Sequence, residues 1–191
     1  PFGDVLPHTI RSEEDYIPDW ADFDLFGRNI RIRQELLSTT SVGTGNLSLQ
    51  MGLSRSSFGP FHRDGLVLSP YGKQAGRFAF TWSSPRFSYE LLLLELTAST
   101  DTGSGRYPGK RLLLHSFAVR PAPWLMLNLY ETVVWGNRFD LKYFIPASVL
   151  YLVQGMGGYS DNSLIGVAAE LRPFRGLSLP LSVYADDVHF N

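Results

Sequence analysis

Two clusters of side chains stand out as able to do chemistry. Arg55, His62, Arg63 and Asp64 lie close together in one polar stretch, and Trp135, Asn137, Arg138, Asp140 and Tyr143 lie in another. These residue types suit sugars: Arg, Asp and Asn form paired hydrogen bonds to hydroxyl groups, and aromatic faces pack on the CH surfaces of the ring. A basic rim would also attract an acidic polysaccharide. The same residues could instead fold their loops over one another, with Asp64 and Asp140 pairing with inward arginines. Catalysis has less support. His62 precedes Asp64 by two positions and His189 follows Asp187 by two, but neither pair has a third ligand or a nucleophile beside it. Both pairs read as solvated loop ends. Ser56, Ser57 and Ser69 lie near His62 without a Gly-x-Ser-x-Gly elbow. Gly103, Gly105, Gly155, Gly157 and Gly158 lack the strand-to-helix setting of a phosphate cradle. The expectation is a non-enzyme with no metal and no cofactor.

The elements that must hold these clusters can be bounded from composition. The chain has 191 residues, of which 44% are hydrophobic, 14% aromatic and 18% charged, with no cysteine and a net charge of −1. That length suits one domain. Balanced charge gives nothing to release phosphate counterions along an extended surface, so no nucleic-acid partner is expected. The charged fraction is below the soluble average of about 25%. No apolar run approaches the roughly 18 residues of a spanning helix. A soluble all-β protein and an outer-membrane β-barrel are the two classes left. The chain begins at Pro1 and stops at Asn191. A removed signal peptide would account for the start, and a longer parent chain, the preferred reading, for both ends.

Period-two alternation predicts strands. Leu47, Leu49, Met51 and Leu53 share one face of 45–54, opposite Asn46, Ser48, Gln50 and Ser54. Phe78, Phe80 and Trp82 oppose Arg77, Thr81 and Ser83; Leu177, Leu179, Leu181 and Val183 oppose Ser178, Pro180, Ser182 and Tyr184. In 29–36, Ile30, Ile32 and Leu36 face away from Arg31, Arg33 and Glu35. Strands are also expected at 87–94, where Leu92 and Leu94 break the phase, and at 111–119, 124–134 and 163–172. A short helix is expected within 145–154.

The connections favour one architecture. Short proline-bearing turns at 83–86, 120–123 and 172–176 alternate with long loops at 55–76, 98–110 and 135–162. With 38–45 counted as a short connection, the order is short and long in strict alternation. An up-and-down antiparallel barrel with one elaborated rim produces that order, with short turns to the periplasm and long loops outside. Arg31, Arg33, Gln50, Arg77, Arg86 and Glu90 would then face a wet lumen, and their apolar neighbours would face lipid. Trp82, Phe87 and Trp124 sit beside short turns, where an aromatic girdle belongs, and this tips the reading to the membrane. In the alternative, a soluble barrel, the same rings fill a core. Residues 1–27 read as an N-terminal lead-in and 28–191 as about eight transmembrane strands with their loops.

Several blocks resemble the capsule assembly Wzi family. They are Arg55, Phe58-Gly59-Pro60, Gly65 and Leu66-Val67-Leu68-Ser69; then Phe117-Ala118-Val119-Arg120-Pro121, followed by 127–136; then Asp140-Leu141-Lys142-Tyr143-Phe144-Ile145-Pro146; then Asp161-Asn162-Ser163-Leu164-Ile165-Gly166; and last Gly176-Leu177-Ser178-Leu179 through Asp186-Asp187. They occur in family order and span 52–187. Pro180 departs from the family pattern in the last strand, and Phe144-Ile145 departs before Pro146. The resemblance implies a bacterial outer-membrane barrel of about eighteen strands that binds surface polysaccharide and helps hold a capsule. This chain would supply part of such a wall. The expected glycan contacts are Arg55, His62, Arg63, Asp64, Trp135, Arg138, Asp140 and Tyr143; the expected lumen-facing residues are Arg31, Arg33, Gln50, Arg77 and Glu90. A diffusion pore and a soluble β-barrel binding small ligands are the alternatives.

Overall fold

Alternating side chains demand extended backbone, and most of the described chain adopts it. The computed structural model describes residues 20–25, 28–33, 37–59, 67–69, 72, 74–96, 109–136, 138–146, 148–158 and 160–186, with 20–25 and 28–33 described as backbone only. The strands are β1 (Trp20–Leu25), β2 (Arg28–Arg33), β3 (Ser38–Thr44), β4 (Leu47–Ser54), β5 (Ala75–Ser83), β6 (Phe87–Leu96), β7 (Lys110–Ala122), β8 (Leu125–Gly136), β9 (Asn162–Leu171) and β10 (Leu179–Asp186). β3 to β10 form one eight-stranded antiparallel sheet in which each strand pairs with its neighbours in sequence. β1 and β2 form a separate two-stranded ladder. Among the described residues the large sheet does not close, since β3 and β10 each pair on one side only.

The short–long alternation survives with one correction. The stretch 38–45 is not a connection. Ser38–Thr44 is itself a strand, joined to β4 by the turn at Gly45-Asn46 and paired from Thr44–Leu47 to Ser38–Leu53. Its Ser and Thr residues carry no hydrophobic alternation because both of its faces are exposed; β-branched threonine still favours extended backbone. The strand expected over 29–36 shortens to β2 and pairs with β1, so part of the lead-in is a strand. Arg31 and Arg33 therefore lie outside the eight-stranded sheet. Pro121 falls where the β7–β8 register shifts, between Val119 and Ala122, as expected for a residue with no N–H to give a ladder.

Register fixes what each face carries. One row runs Leu47, Trp82, Tyr89, Phe117, Leu129, Val167 and Val183 across the sheet. On the opposite face another runs Ser48, Thr81, Glu90, Ser116, Tyr130, Gly166 and Tyr184. The second face is the enclosed one, with Ala79, Thr81, Ser88, Ser116, Ala118, Asn128 and Ala168 all buried. The first is open: Leu47, Leu49, Met51, Phe78, Trp82, Leu127, Leu129, Val167, Leu179, Leu181 and Val183 are exposed.

Loops cover both faces near the long-loop ends of the strands. From the β4–β5 loop, Phe58 and Leu68 pair through backbone hydrogen bonds of 2.9 Å. Phe58 enters the enclosed face against Leu92, Leu94, Leu114 and Tyr130. The β8–β9 loop carries a 3-10 turn (Leu141–Phe144) and a short helix α1 (Leu150–Gly155). It packs Tyr143, Leu150 and Val153 on the open face over Leu91, Leu113, Val133 and Trp135. The broken phase of Leu91 to Leu94 thus has a physical reason: both faces of β6 are buried there.

Candidate functional site

The enclosed face gathers three of the five residues expected to face a lumen. Arg77 on β5 donates from Nη1 to Ser54 Oγ at 3.4 Å and from Nη2 to Gln50 Oε1 at 3.3 Å, both on β4. Glu90 on β6 lies on the same face, in the row of Thr81 and Ser116. Farther along, Ser116 Oγ donates to Asn128 Oδ1 at 3.1 Å, and Tyr130 Oη lies 3.1 Å from Ser182 Oγ. Asn128 Nδ2 and Arg77 Nε are buried without a hydrogen-bond partner in the protein. The enclosed face thus sets these buried polar side chains beside an apolar cluster of Phe58, Ala79, Leu92, Leu94, Leu114 and Tyr130.

The long-loop rim holds the other cluster. Arg138 pairs with both Asp140 and Asp161, and Lys142 Nζ lies 3.3 Å from Asp140 Oδ2. Tyr143 Oη donates to Asp161 Oδ2 at 2.5 Å, and Gln154 on α1 donates to the Asp161 carbonyl. Asp140 accepts from the Lys142 N–H and so caps the 3-10 turn. Asp161, whose side chain is 5% exposed, is thus the latch that ties the start of the loop to its end. The charges respond. The hydrogen bond from Arg138 to Asp161 raises the guanidinium pKa above its ordinary value. Burial, and then the bond to Asp161, push the Tyr143 phenol up. Burial alone would raise Asp140, but the Lys142 N–H and the ion pairs with Arg138 and Lys142 outweigh it and hold the carboxyl low.

The expected glycan contacts divide accordingly. Arg138 and Asp140 are part-exposed at the rim. Trp135 and Tyr143 are buried, with ring centroids 5.0 Å apart, and Trp135 Nε1 donates to the Arg138 carbonyl at 3.2 Å. Neither ring offers a stacking face while the loop is seated. Asp140 satisfies Arg138 and Lys142 within its own loop rather than an arginine of the enclosed face. Arg55 is half-buried at the start of the β4–β5 loop. His62, Arg63, Asp64 and Asn137 lie outside the described residues, as do the side chains of Arg31 and Arg33.

Two features escaped the sequence reading. Asp161 had no marker beyond its place in a family block, because its partners stand 23 and 18 residues away. On the open face His115 and Glu131 lie opposite each other in the β7–β8 ladder, both buried, with the Leu150 N–H donating to Glu131 Oε2 at 2.5 Å. A period-two pattern with His and Glu on its apolar side signals a covered patch, and this was the available clue. Among the described residues no group of three His, Asp or Glu residues is placed to hold a metal. Comparison with known proteins adds no relative: no protein family, no curated protein and no solved structure matches the chain.

Proposed function

We propose that the eight-stranded sheet is a section of the wall of an outer-membrane β-barrel of the Wzi-like type, with its enclosed polar face to the lumen, its open face to lipid, and its long-loop rim outside, where it binds a surface polysaccharide. One observation carries this reading: outside the two loop-covered apolar clusters, the polarity of burial is inverted. Leu49, Met51, Leu129, Leu181 and Val183 are exposed, while Arg77, Glu90, Ser116 and Asn128 are buried. In water, apolar area left exposed forgoes about 25 cal/mol per Å², and patches beyond a few hundred Å² are rare on monomers. In hydrocarbon the same surface is at home. The loop that covers part of the open face supports the reading, since its own outer surface is apolar: Phe139, Leu141, Ile145, Leu152 and Met156 are all more than half exposed.

The two unpaired edges also point to a larger barrel, because lipid does not tolerate open ladders. An eight-stranded barrel has room for its own side chains or for one small ligand. Here the enclosed face also takes Phe58, with Val67 and Leu68 packed beside it, which favours a wider barrel.

The polysaccharide contacts fall to the part-exposed polar residues of the rim, Arg55, Arg138 and Asp140, with His62, Arg63 and Asp64 of the same loop as Arg55. Fractionation and retention test the reading together. The protein should enter the outer-membrane fraction, leave it only with detergent, and in micelles retain an acidic capsular polysaccharide. Arg55→Ala with Arg63→Ala should weaken that retention about tenfold, on the scale of 1–3 kcal/mol for charge-assisted hydrogen bonds. Release by aqueous buffer would contradict the membrane assignment. Bilayer conductance with no polysaccharide retention would mark a diffusion pore selected by Arg77 and Glu90.

A further inference from the structure

Trp135 and Tyr143, expected as sugar platforms at the rim, are buried, but two rings at the opposite end of the strands are open. Trp124 is 51% exposed and Phe174 66% exposed. They belong to two short turns that meet, where the Arg172 N–H donates to the Trp124 carbonyl at 2.7 Å. Here lies an open groove of about 410 Å³, lined by Trp124, Arg172, Phe174, Arg175, Leu177 and Ser178. That volume falls in the range of small-ligand sites, roughly 300–1,000 Å³.

The walls are held in place from the sequence upward. Pro123 and Pro173 restrict φ in the two turns, and Gly176, at φ +94°, supplies a left-handed corner. Glu170 Oε1 accepts from Arg172 Nε at 2.9 Å and from Ser178 Oγ at 2.6 Å, so one carboxylate ties both ends of the 172–178 turn. Glu170 follows Gly166 and Ala168 at period two, which sets it on the enclosed face and draws Arg172 and Ser178 to that side. Residues 123–124 and 172–178 include Arg172 and Arg175 and no Asp or Glu. Arg172 offsets Glu170, and Arg175 has no ion-pair partner among the described residues, so the groove carries a net positive charge.

These walls select a ligand. Trp124 and Phe174 offer faces to CH groups, and Arg175 offers a charge to an anion. Ser178 Oγ spends its proton on Glu170 and keeps lone pairs to accept from a hydroxyl. A bare inorganic anion would leave both rings in water, and a neutral sugar would leave Arg175 without a partner. An acidic sugar meets every group.

We infer that this groove binds an acidic sugar unit of a polysaccharide, its ring against Trp124 and Phe174 and its carboxylate on Arg175. It is a second site for the ligand class proposed at the rim, at the other end of the strands, and its geometry does not depend on the membrane assignment. The chain has four tryptophans, so fluorine NMR can read the two ends separately. The full chain labelled with 5-fluorotryptophan, in detergent micelles, is titrated with oligogalacturonate, a neutral maltooligosaccharide or inorganic phosphate. Trp124→Phe and Trp135→Phe identify the two signals. Oligogalacturonate should shift the Trp124 signal, and the neutral oligosaccharide should bind about fivefold more weakly there. Arg175→Gln should weaken oligogalacturonate binding about fivefold, a modest factor because the side chain is exposed. Arg175→Lys, which keeps the charge, should retain most of it. The Trp124 shift should persist in the Arg55→Ala, Arg63→Ala variant, which alters only the rim; its loss there would overturn a separate site. Equal affinity for the acidic and neutral oligosaccharides, or an affinity untouched by Arg175→Gln, would overturn the acidic-sugar site. An equal shift of the Trp124 signal by phosphate alone would overturn it in favour of a simple anion site. A shift confined to the Trp135 signal would overturn the groove and leave the rim reading standing.

Discussion

Tyr130→Ala is expected to destabilise the sheet by about 3–5 kcal/mol, the range for deleting a large buried aromatic side chain. Tyr130 is fully buried on the enclosed face. Its ring meets Phe58 edge-on at 5.6 Å, and its hydroxyl lies 3.1 Å from Ser182 Oγ, so it joins the inward loop to three strands. It also explains a glycine. Gly166 stands directly opposite Tyr130 in the β8–β9 ladder, and a Cβ there would overlap the tyrosine ring. Gly166→Ala should therefore cost about 1–3 kcal/mol by overpacking. The two effects must not add, because both act on the same space. In the Tyr130→Ala background, Gly166→Ala should be close to neutral. Urea unfolding of the detergent-solubilised protein measures all three variants. Equal penalties for Gly166→Ala in both backgrounds would mean that the ring does not set the need for glycine. Loss of Tyr130 should also expose the Phe58–Leu68 loop to protease.

The second large effect is expected at the rim latch. Asp161→Ala removes the acceptor shared by Arg138 and Tyr143, and leaves the Tyr143 hydroxyl buried without that acceptor, while Arg138 keeps Asp140. A donor orphaned in this way costs about 1–3 kcal/mol. The Arg138 contribution is smaller, since that side chain is 38% exposed and water screens it. The readout is local: limited proteolysis should cut the 138–161 loop while the strands stay paired. Asp161→Asn, which keeps an acceptor, should fall between the wild type and the alanine variant.

The same latch gives a pH window. Tyr143 has a raised pKa in the folded loop, so its stabilisation is complete below the unfolded phenol value of about 10 and is lost as pH rises past it. Asp140 has a lowered pKa, so its contribution is present above the unfolded value of about 3.9 and is lost as pH falls through the folded one. The loop should thus resist protease between these limits and open beyond either, and Tyr143→Phe should abolish the alkaline limb. An unchanged alkaline limb in Tyr143→Phe would take the phenol out of the latch.

Much of this architecture was legible from spacing, and the exceptions share a cause. Alternation located β4, β5 and β10, each with one apolar and one polar face, while β6 to β9 were legible as apolar, strand-like runs of broken or weak phase bounded by turn prolines. β3 carries Ser38, Thr39, Thr40 and Ser41 and exposes both faces, so nothing in its pattern separates it from a polar connection. Its pairing with β4 is a property of the ladder. Arg31 and Arg33 alternate as the sheet's residues do, and periodicity cannot say which ladder a strand joins. Trp135 and Tyr143 were expected as sugar platforms because aromatic residues in a rim loop have the same composition whether they face solvent or seal the loop onto the sheet. The loop's closure decides, and closure depends on Asp161, too far along the chain from its partners for local spacing to reveal.

The lipid-facing assignment of the open face is the claim on which the functional account depends, and the absence of cysteine makes it directly testable. Single cysteines introduced from Leu47 to Met51 and from Leu181 to Ala185, spin-labelled and reconstituted in bilayers, would report oxygen against a water-soluble relaxation agent. The account predicts a period of two, with labels at 47, 49, 51, 181, 183 and 185 reached by oxygen and shielded from the aqueous agent, and those at 48, 50, 182 and 184 the reverse. Aqueous access at 49, 51 and 183, or the opposite phase, would contradict it.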